Sequence, residues 1–132
     1  MSRENVEIVK RLYQAWSAGD PEVALELVSP DVVWIAIEDA PDAGTYRGTA
    51  GVLAYFGDWL QDFEDLRMEF DELIGAGEFL VAVQRGRARG KGSGVEVDLR
   101  YAVLYEFEDG RITRVREFRT KEQALEAAGL SE

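Results

Sequence analysis

The sequence contains no cysteine and no histidine among its 132 residues. Without cysteine, the chain has no disulfide, no thiolate nucleophile and no cysteine-based metal site. Without histidine, it lacks the commonest general base and the commonest metal ligand of proteins. Any acid–base chemistry must therefore use Asp, Glu, Tyr, Lys or Arg, and we expect no metal ion.

Motifs that bind nucleotide cofactors are also missing. The sequence has no GxxxxGK[ST] loop, no GxGxxG turn between a strand and a helix, and no GxSxG nucleophile elbow. Four glycines between positions 86 and 94 fall in a predicted hairpin, and no helix follows whose N-terminus would hold a phosphate. We therefore expect a protein that works without a cofactor.

Positive charge is scarce. The chain has 15 Lys and Arg against 26 Asp and Glu, a formal net charge of -11. Such a surface repels nucleic acids and anionic membranes, so neither is an expected partner. No apolar run approaches the ~20 residues of a membrane span, and the polar N-terminus does not resemble a signal peptide. The sequence predicts a cytoplasmic protein.

The residues that are present predict an ordinary α+β domain. Hydrophobic residues make up 46% and charged residues 31%, and the length fits one domain over residues 1–132. Hairpin-linked strands separated from the helices indicate an antiparallel sheet. The hydrophobic periodicity predicts helices over 3–18, 21–28, 49–61 and 120–129, and strands over 31–38, 66–74, 79–88, 95–107 and 112–119, with a short pairing segment at 45–47.

Four segments, in this order, carry a resemblance to a known family. They are Tyr13–Asp20 (YQAWSAGD), Ser29–Trp34 (SPDVVW), Tyr46–Gly48 (YRG) and Tyr105–Ile112 (YEFEDGRI). They resemble the nuclear transport factor 2-like superfamily, which includes ketosteroid isomerases, scytalone dehydratases, limonene epoxide hydrolases and SnoaL-like polyketide cyclases. The chain looks most similar to the SnoaL-like branch of small bacterial proteins.

This resemblance implies a fold and an assembly. The fold would be a cone-shaped α+β barrel, with a strongly curved, mainly antiparallel sheet wrapped around three N-terminal helices and followed by a short C-terminal helix. Members commonly pair through the outer face of the sheet, so we expect a homodimer with Ala102 and Leu104 at the contact. A Leu104→Arg change would then weaken the dimer by burying a charge without a partner.

The resemblance does not bring an activity with it. The three catalytic positions of the ketosteroid isomerases align by eye with Leu12, Ala36 and Val103, none of which can perform that chemistry. Glu38 and Asp39 lie near the second position and remain candidate acids. The hydrolases of this fold use an Asp–Arg–Asp set, whose nearest approximation here is Arg85, Arg87 and Glu117.

Aromatic residues are abundant, with three Trp, five Tyr and six Phe. Helices on a curved sheet leave a cavity where they splay apart, and aromatic walls with a few polar atoms are typical of small-ligand pockets. Plain core packing is the alternative for each residue. Our predicted substrate-contacting residues are Trp16, Trp34, Phe56, Trp59, Phe63 and Val103, with Arg85 and Arg87 as possible ligands for an acidic group.

Glu117 is the first choice for a catalytic acid or base. It shares strand parity with Val115, which should face inward, whereas Ile112 and Phe118 favour the opposite parity. In an apolar pocket its pKa would rise above the ordinary value for glutamate. The alternative is an ion pair with Arg85 or Arg87.

Tyr101 and Tyr105 lie on the inward face of the most regularly alternating strand, and either hydroxyl can donate to a carbonyl or an oxyanion. Core packing with satisfied hydroxyls is the alternative. Three functions remain open. They are a cofactor-independent isomerase, cyclase or hydrolase acting on a small apolar substrate; a non-catalytic binder of a small apolar ligand; and an interaction module that uses the sheet face.

Overall fold

The computed structural model describes residues 3–37 and 44–130. In these two ranges no helix is long and apolar enough to cross a membrane. The same ranges form four helices and six strands, in the order predicted from the sequence. The helices are α1 (Arg3–Ala18), α2 (Pro21–Glu26), α3 (Gly48–Asp62) and α4 (Lys121–Ala127), and the strands are β1 (Val28–Ile35), β2 (Thr45–Arg47), β3 (Phe63–Ala76), β4 (Phe79–Gly90), β5 (Glu96–Glu108) and β6 (Arg111–Phe118).

The sheet has the strand order β2-β1-β6-β5-β4-β3. All neighbouring strands are antiparallel except β1 and β6, which are parallel. The sheet is curved and does not close, which confirms the predicted α+β cone with a mainly antiparallel sheet. Helix α3 packs against β1, and α1 packs against β3, so both helices lie on the inner face of the curve.

The junction between α2 and β1 differs from the sequence-based prediction. Val28 was expected at the end of the helix, but the helix ends at Glu26 and Val28 begins the strand. The reason is tertiary pairing, because Ile112 of β6 donates a backbone hydrogen bond to the carbonyl of Leu27 and lies opposite Val28. A β-branched residue suits this paired position better than a helix end.

The register of β5 separates an inner from an outer face. Tyr101 lies opposite Gln84 of β4, and Val103 lies opposite Glu117 of β6. Directly paired residues share a face of the sheet, so these four side chains all face inward. Residues of the opposite parity, Ala102 among them, face outward, as the alternation in the sequence predicted.

Helix α4 covers part of the outer face. Leu104 is fully buried within a single chain, in a cluster with Val81, Ala124 and Leu125. The helix begins with the predicted capping box, in which the side chain of Thr120 accepts from the Gln123 backbone N–H at 3.2 Å. The homodimer stays a prediction, but Leu104→Arg is the wrong test of it because the change would disrupt the contact with α4.

Candidate functional site

A cavity of about 70 Å³ lies between α1, α3 and the inner face of strands β3 to β5. For scale, an engineered apolar cavity of about 150 Å³ takes up benzene. The cavity has about half of that volume, so it fits a group of a few non-hydrogen atoms or the end of a larger molecule. Six aromatic side chains contribute to its wall, namely Tyr13, Trp16, Tyr55, Phe56, Trp59 and Tyr101.

Glu117 brings a carboxylate to this wall. Its position opposite Val103 directs it to the inner face, as the parity with Val115 predicted. One carboxylate oxygen, Oε2, accepts hydrogen bonds from Trp34 Nε1 at 2.9 Å and from the Tyr55 hydroxyl at 2.7 Å. The other, Oε1, accepts from the Ile37 backbone N–H at 3.4 Å. The carboxylate is thus fixed in place by donors from β1, from the residues just after it and from α3.

Trp34 has a different role from the one predicted. It was expected to form the cavity wall, but it is fully buried and stands behind the wall as a hydrogen-bond donor to Glu117. Its ring lies 5.4 Å from that of Tyr55, the second donor. Tyr55 was missed by the sequence analysis, although its position four residues before Trp59 puts both on one helical face.

A second cluster of hydrogen-bonded polar side chains surrounds Gln84, whose side chain is fully buried on the inner face. Its Oε1 accepts from the Tyr105 hydroxyl at 2.8 Å, and its Nε2 lies 3.3 Å from the Tyr13 hydroxyl and 3.1 Å from that of Tyr101. The hydroxyls of Tyr13 and Tyr105 are 2.8 Å apart. Because Tyr105 donates to Gln84, Tyr13 is the donor to Tyr105, and these three groups form a closed ring of hydrogen bonds.

The closed ring of hydrogen bonds around Gln84 distinguishes Tyr101 from Tyr105, the two tyrosines that were predicted to donate to a ligand. Tyr105 is fully buried and its proton is used within the ring, so core packing describes it better than ligand contact. Tyr101 lines the cavity and accepts from Gln84, which leaves its own proton to point elsewhere. Met68 Sδ, at 4.0 Å, is a weak acceptor for that proton. A hydrogen bond with Tyr13 also contributes to the raised pKa of Tyr101, so Tyr13 is a second acceptor within reach of that proton. Donation to a ligand would replace these contacts.

The tyrosine hydroxyls of this site stay protonated at neutral pH. Burial is the main cause that raises the pKa of Tyr13, Tyr101 and Tyr105 well above 10, and it also raises the pKa of Tyr55 strongly. The negative charge of Glu117 adds to each of these shifts. The four hydroxyls are thus hydrogen-bond donors, and none is a phenolate base.

These shifts predict a loss of stability at alkaline pH. Above pH ~10 the unfolded chain loses tyrosine protons that the folded chain keeps, so the free energy of unfolding falls as pH rises, by up to about 1.4 kcal/mol per pH unit for each tyrosine. Urea unfolding between about pH 9 and 11 measures this slope. Tyr105→Phe removes one of these tyrosines, so the free energy of unfolding should fall less steeply with pH in the variant. An unchanged slope would contradict the raised pKa of Tyr105.

The remaining predicted wall residues divide into two groups. Trp16, Phe56 and Trp59 line the cavity as expected. Phe63 and Val103 are set back from it, since the Phe63 ring packs 5.0 Å from that of Trp59 and Val103 is fully buried in the core. Those two residues support the wall instead of forming it.

The two predicted arginines lie on the outer face of β4. Arg85 is opposite Arg100, and its Nε donates to Asp98 at 2.7 Å, which holds the pKa of that carboxyl below its ordinary value. Arg85 is therefore left out of the proposed site. Arg87 is part of the cavity wall, but it lies opposite Asp98 and its Nε is 3.2 Å from the carboxylate of Glu69. The parity of Arg87 and its approach to Glu69 direct its charge toward the outer face, although the buried Nε makes no hydrogen bond there.

The rival acids Glu38 and Asp39 lie outside the described residues. Gly86 is a further part of the wall that sequence reasoning took only as part of a hairpin. A side chain added at Gly86 would contact Met68 Cε at 3.5 Å and Tyr101 Cε1 at 3.9 Å. Glycine at this inward position keeps the space beside the Tyr101 ring open.

Comparison with known proteins agrees with this architecture. The family of SnoaL-like domains matches residues 9–115. An uncharacterized protein from Mycobacterium tuberculosis is 30% identical over 126 residues, which cover 93% of this chain and 94% of the relative.

Solved structures also share the fold, and two of them illustrate it. An NTF2-like protein of unknown function from Burkholderia pseudomallei has a TM-score of 0.75 and 25% identity, covering 96% of this chain and 97% of its own. A putative SnoaL-like polyketide cyclase from Jannaschia sp. has a TM-score of 0.76 and 24% identity, covering 97% of this chain and 94% of its own.

Proposed function

The chain belongs to the family of SnoaL-like domains, and from that premise we propose that it is a cofactor-independent enzyme of the isomerase, cyclase or hydrolase kind. In this proposal one domain over residues 1–132 binds a small, largely apolar substrate in the aromatic cavity. Glu117 transfers the proton, and Tyr101 donates a hydrogen bond to the substrate. The cytoplasmic location remains a prediction.

One observation supports the proposal above all others. A carboxylate whose position is fixed by Trp34 and Tyr55 shares the wall of one cavity with the Tyr101 hydroxyl, whose proton is directed away from Gln84. A base and a hydrogen-bond donor held in one largely apolar cavity are the two groups that enolisation of a carbonyl compound requires.

The proposed step is a proton transfer at the carbon next to a carbonyl. Glu117 takes the proton from that carbon, and the electrons of the broken C–H bond move into an enolate. Tyr101 stabilises the negative oxygen by donating its hydrogen bond. Glu117 then returns the proton to the same carbon or to another, so the protein ends the cycle unchanged.

Hydrogen–deuterium exchange tests this proposal without knowledge of the natural substrate. The probe is cyclopentanone, a small ketone with exchangeable protons beside its carbonyl. In heavy water the protein should accelerate the loss of those proton signals in the NMR spectrum well beyond an equal concentration of free acetate. An exchange rate equal to that with acetate would contradict the proposed chemistry.

A non-catalytic ligand binder is the second candidate, and the geometry of Glu117 favours it in one respect. The carboxylate accepts hydrogen bonds from Trp34, Tyr55 and Ile37, and such bonds stabilise the ionised form and weaken it as a base. Binding of the ketone without accelerated exchange would favour this candidate over the enzyme.

A further inference from the structure

The aromatic wall of the cavity has an electrostatic consequence. The Trp16 ring lies 5.1 Å from that of Phe56, 6.4 Å from that of Trp59 and 5.7 Å from that of Tyr13, and the rings meet at different angles. The faces of aromatic rings carry partial negative charge, which attracts cations within about 6 Å of the ring centre, most strongly for tryptophan. A cavity bordered by several such rings suits a cation better than most apolar cavities do.

The inward-facing charged side chain on the wall is negative, like the faces of the aromatic rings. Glu117 places a carboxylate on the wall, and its negative charge contributes to the raised pKa of Tyr13, Tyr55 and Tyr101, all of which line the cavity. A single negative charge thus acts across the site.

The basic residues of the wall do not cancel this charge from inside. Arg67 and Arg87 are opposite each other in the register of β3 and β4, and Arg87 is opposite Asp98 of β5. Both arginines therefore have outward parity, and Arg87 Nε lies 3.2 Å from a Glu69 oxygen. Within the described part of the chain, the charged side chain with inward parity at this wall is Glu117.

We propose that the molecule bound here carries a small alkylammonium group, either a quaternary ammonium or a protonated tertiary amine, which sits among the rings with its charge facing Glu117. The proposal rests on the ligand site proposed above and not on its proton transfer, because an ammonium group facing Glu117 takes the place of a reacting carbon. It names the class of ligand for the second candidate, the non-catalytic binder. The volume of about 70 Å³ agrees with a compact head group of a few non-hydrogen atoms. The net charge of -11 also favours the approach of a cation.

A pair of probes of equal shape tests the charge alone. Choline carries a trimethylammonium group, and 3,3-dimethylbutan-1-ol carries a neutral tert-butyl group in its place. Binding of each is followed by NMR titration of the labelled indole N–H signals and by quenching of tryptophan fluorescence. Choline should bind about tenfold or more tightly than the neutral alcohol, the size expected when a cation is held by desolvated aromatic rings.

Two variants show whether the preference comes from this cavity. Glu117→Gln keeps one acceptor, the amide oxygen, which can take the hydrogen bonds of both Trp34 and Tyr55. It should reduce the preference for choline by about fivefold or more while leaving the alcohol within about twofold. Trp59→Leu, at a half-buried ring, should reduce it as well. Glu108→Gln, an exposed carboxylate at the end of β5, is the matched control and should change neither affinity.

The outcomes distinguish a failure of the alkylammonium proposal from a failure of the proposed ligand site. If the alcohol binds as tightly as choline in the cavity, the alkylammonium proposal is overturned and the cavity remains a ligand site. If choline is preferred equally by the wild type and by Glu117→Gln and Trp59→Leu, its binding is surface attraction and the alkylammonium proposal is also overturned. If neither probe binds at millimolar concentration, both this proposal and the proposed ligand site fail.

Discussion

Glu117→Gln is expected to lower the rate of deuterium exchange into cyclopentanone by about 10²–10⁴-fold, the usual contribution of a positioned general base. Glutamine has nearly the same shape, and its amide oxygen can still accept from Trp34 and Tyr55, which lie 2.9 and 2.7 Å from the carboxylate. The fold should therefore survive, while the group that accepts the proton is lost. The measurement is the exchange rate by NMR, beside a thermal unfolding curve.

The control for this change is Glu108→Gln, which removes an exposed carboxylate. It should catalyse deuterium exchange into cyclopentanone at the wild-type rate. Tyr101→Phe should give a smaller loss, because it removes the donor to the oxyanion and keeps the base. A decrease of less than about tenfold in Glu117→Gln, with the fold intact, would show that another group transfers the proton.

Gln84→Leu should reduce the free energy of unfolding by about 2–4 kcal/mol. The amide of Gln84 is fully buried, with the hydroxyls of Tyr13, Tyr101 and Tyr105 within 3.3 Å of its polar atoms. Leucine fills similar space but leaves buried hydroxyls short of partners, and a buried polar group without a partner costs about 1–3 kcal/mol. Urea unfolding measures the loss.

A combined variant distinguishes lost hydrogen bonds from poor packing. Tyr13→Phe and Tyr105→Phe, added to Gln84→Leu, remove the hydroxyls that the first change left without partners. When all three members of the ring become apolar, most of the cost of unpaired groups is removed, while the Tyr101 hydroxyl at the cavity wall still lacks its Gln84 partner. The triple variant should therefore be more stable than Gln84→Leu alone, and a further loss of stability would contradict the ring of hydrogen bonds.

The elements of the fold that were predictable from sequence are those with strong local signals. The alternation from residue 95 to residue 107 predicted both the strand β5 and its two faces, because the side-chain period of a strand is two. The capping box at Thr120 predicted the start of α4 in the same way. Val28 was misassigned because its helix-compatible spacing gave no sign of the pairing with β6.

The candidate site was only partly predictable, since it is assembled from distant parts of the chain. Elimination and strand parity found Glu117, but its donor Tyr55 lies 62 residues away on α3. Gln84 gave no signal at all, because a single amide in a strand next to three arginines suggests an exposed residue. Arg85 is the next residue of β4, so it must face outward once Gln84 is known to face inward.

The position of a bound probe tests the central claim most directly, namely that a small ligand occupies the aromatic cavity against Glu117. The measurement is the set of intermolecular NOEs between unlabelled cyclopentanone and the isotopically labelled protein. We expect NOEs from the ketone to the rings of Trp59, Tyr55 and Tyr101, which line the cavity. NOEs confined to the outer face, such as to Leu125 of α4 or to Arg85, would contradict the claim.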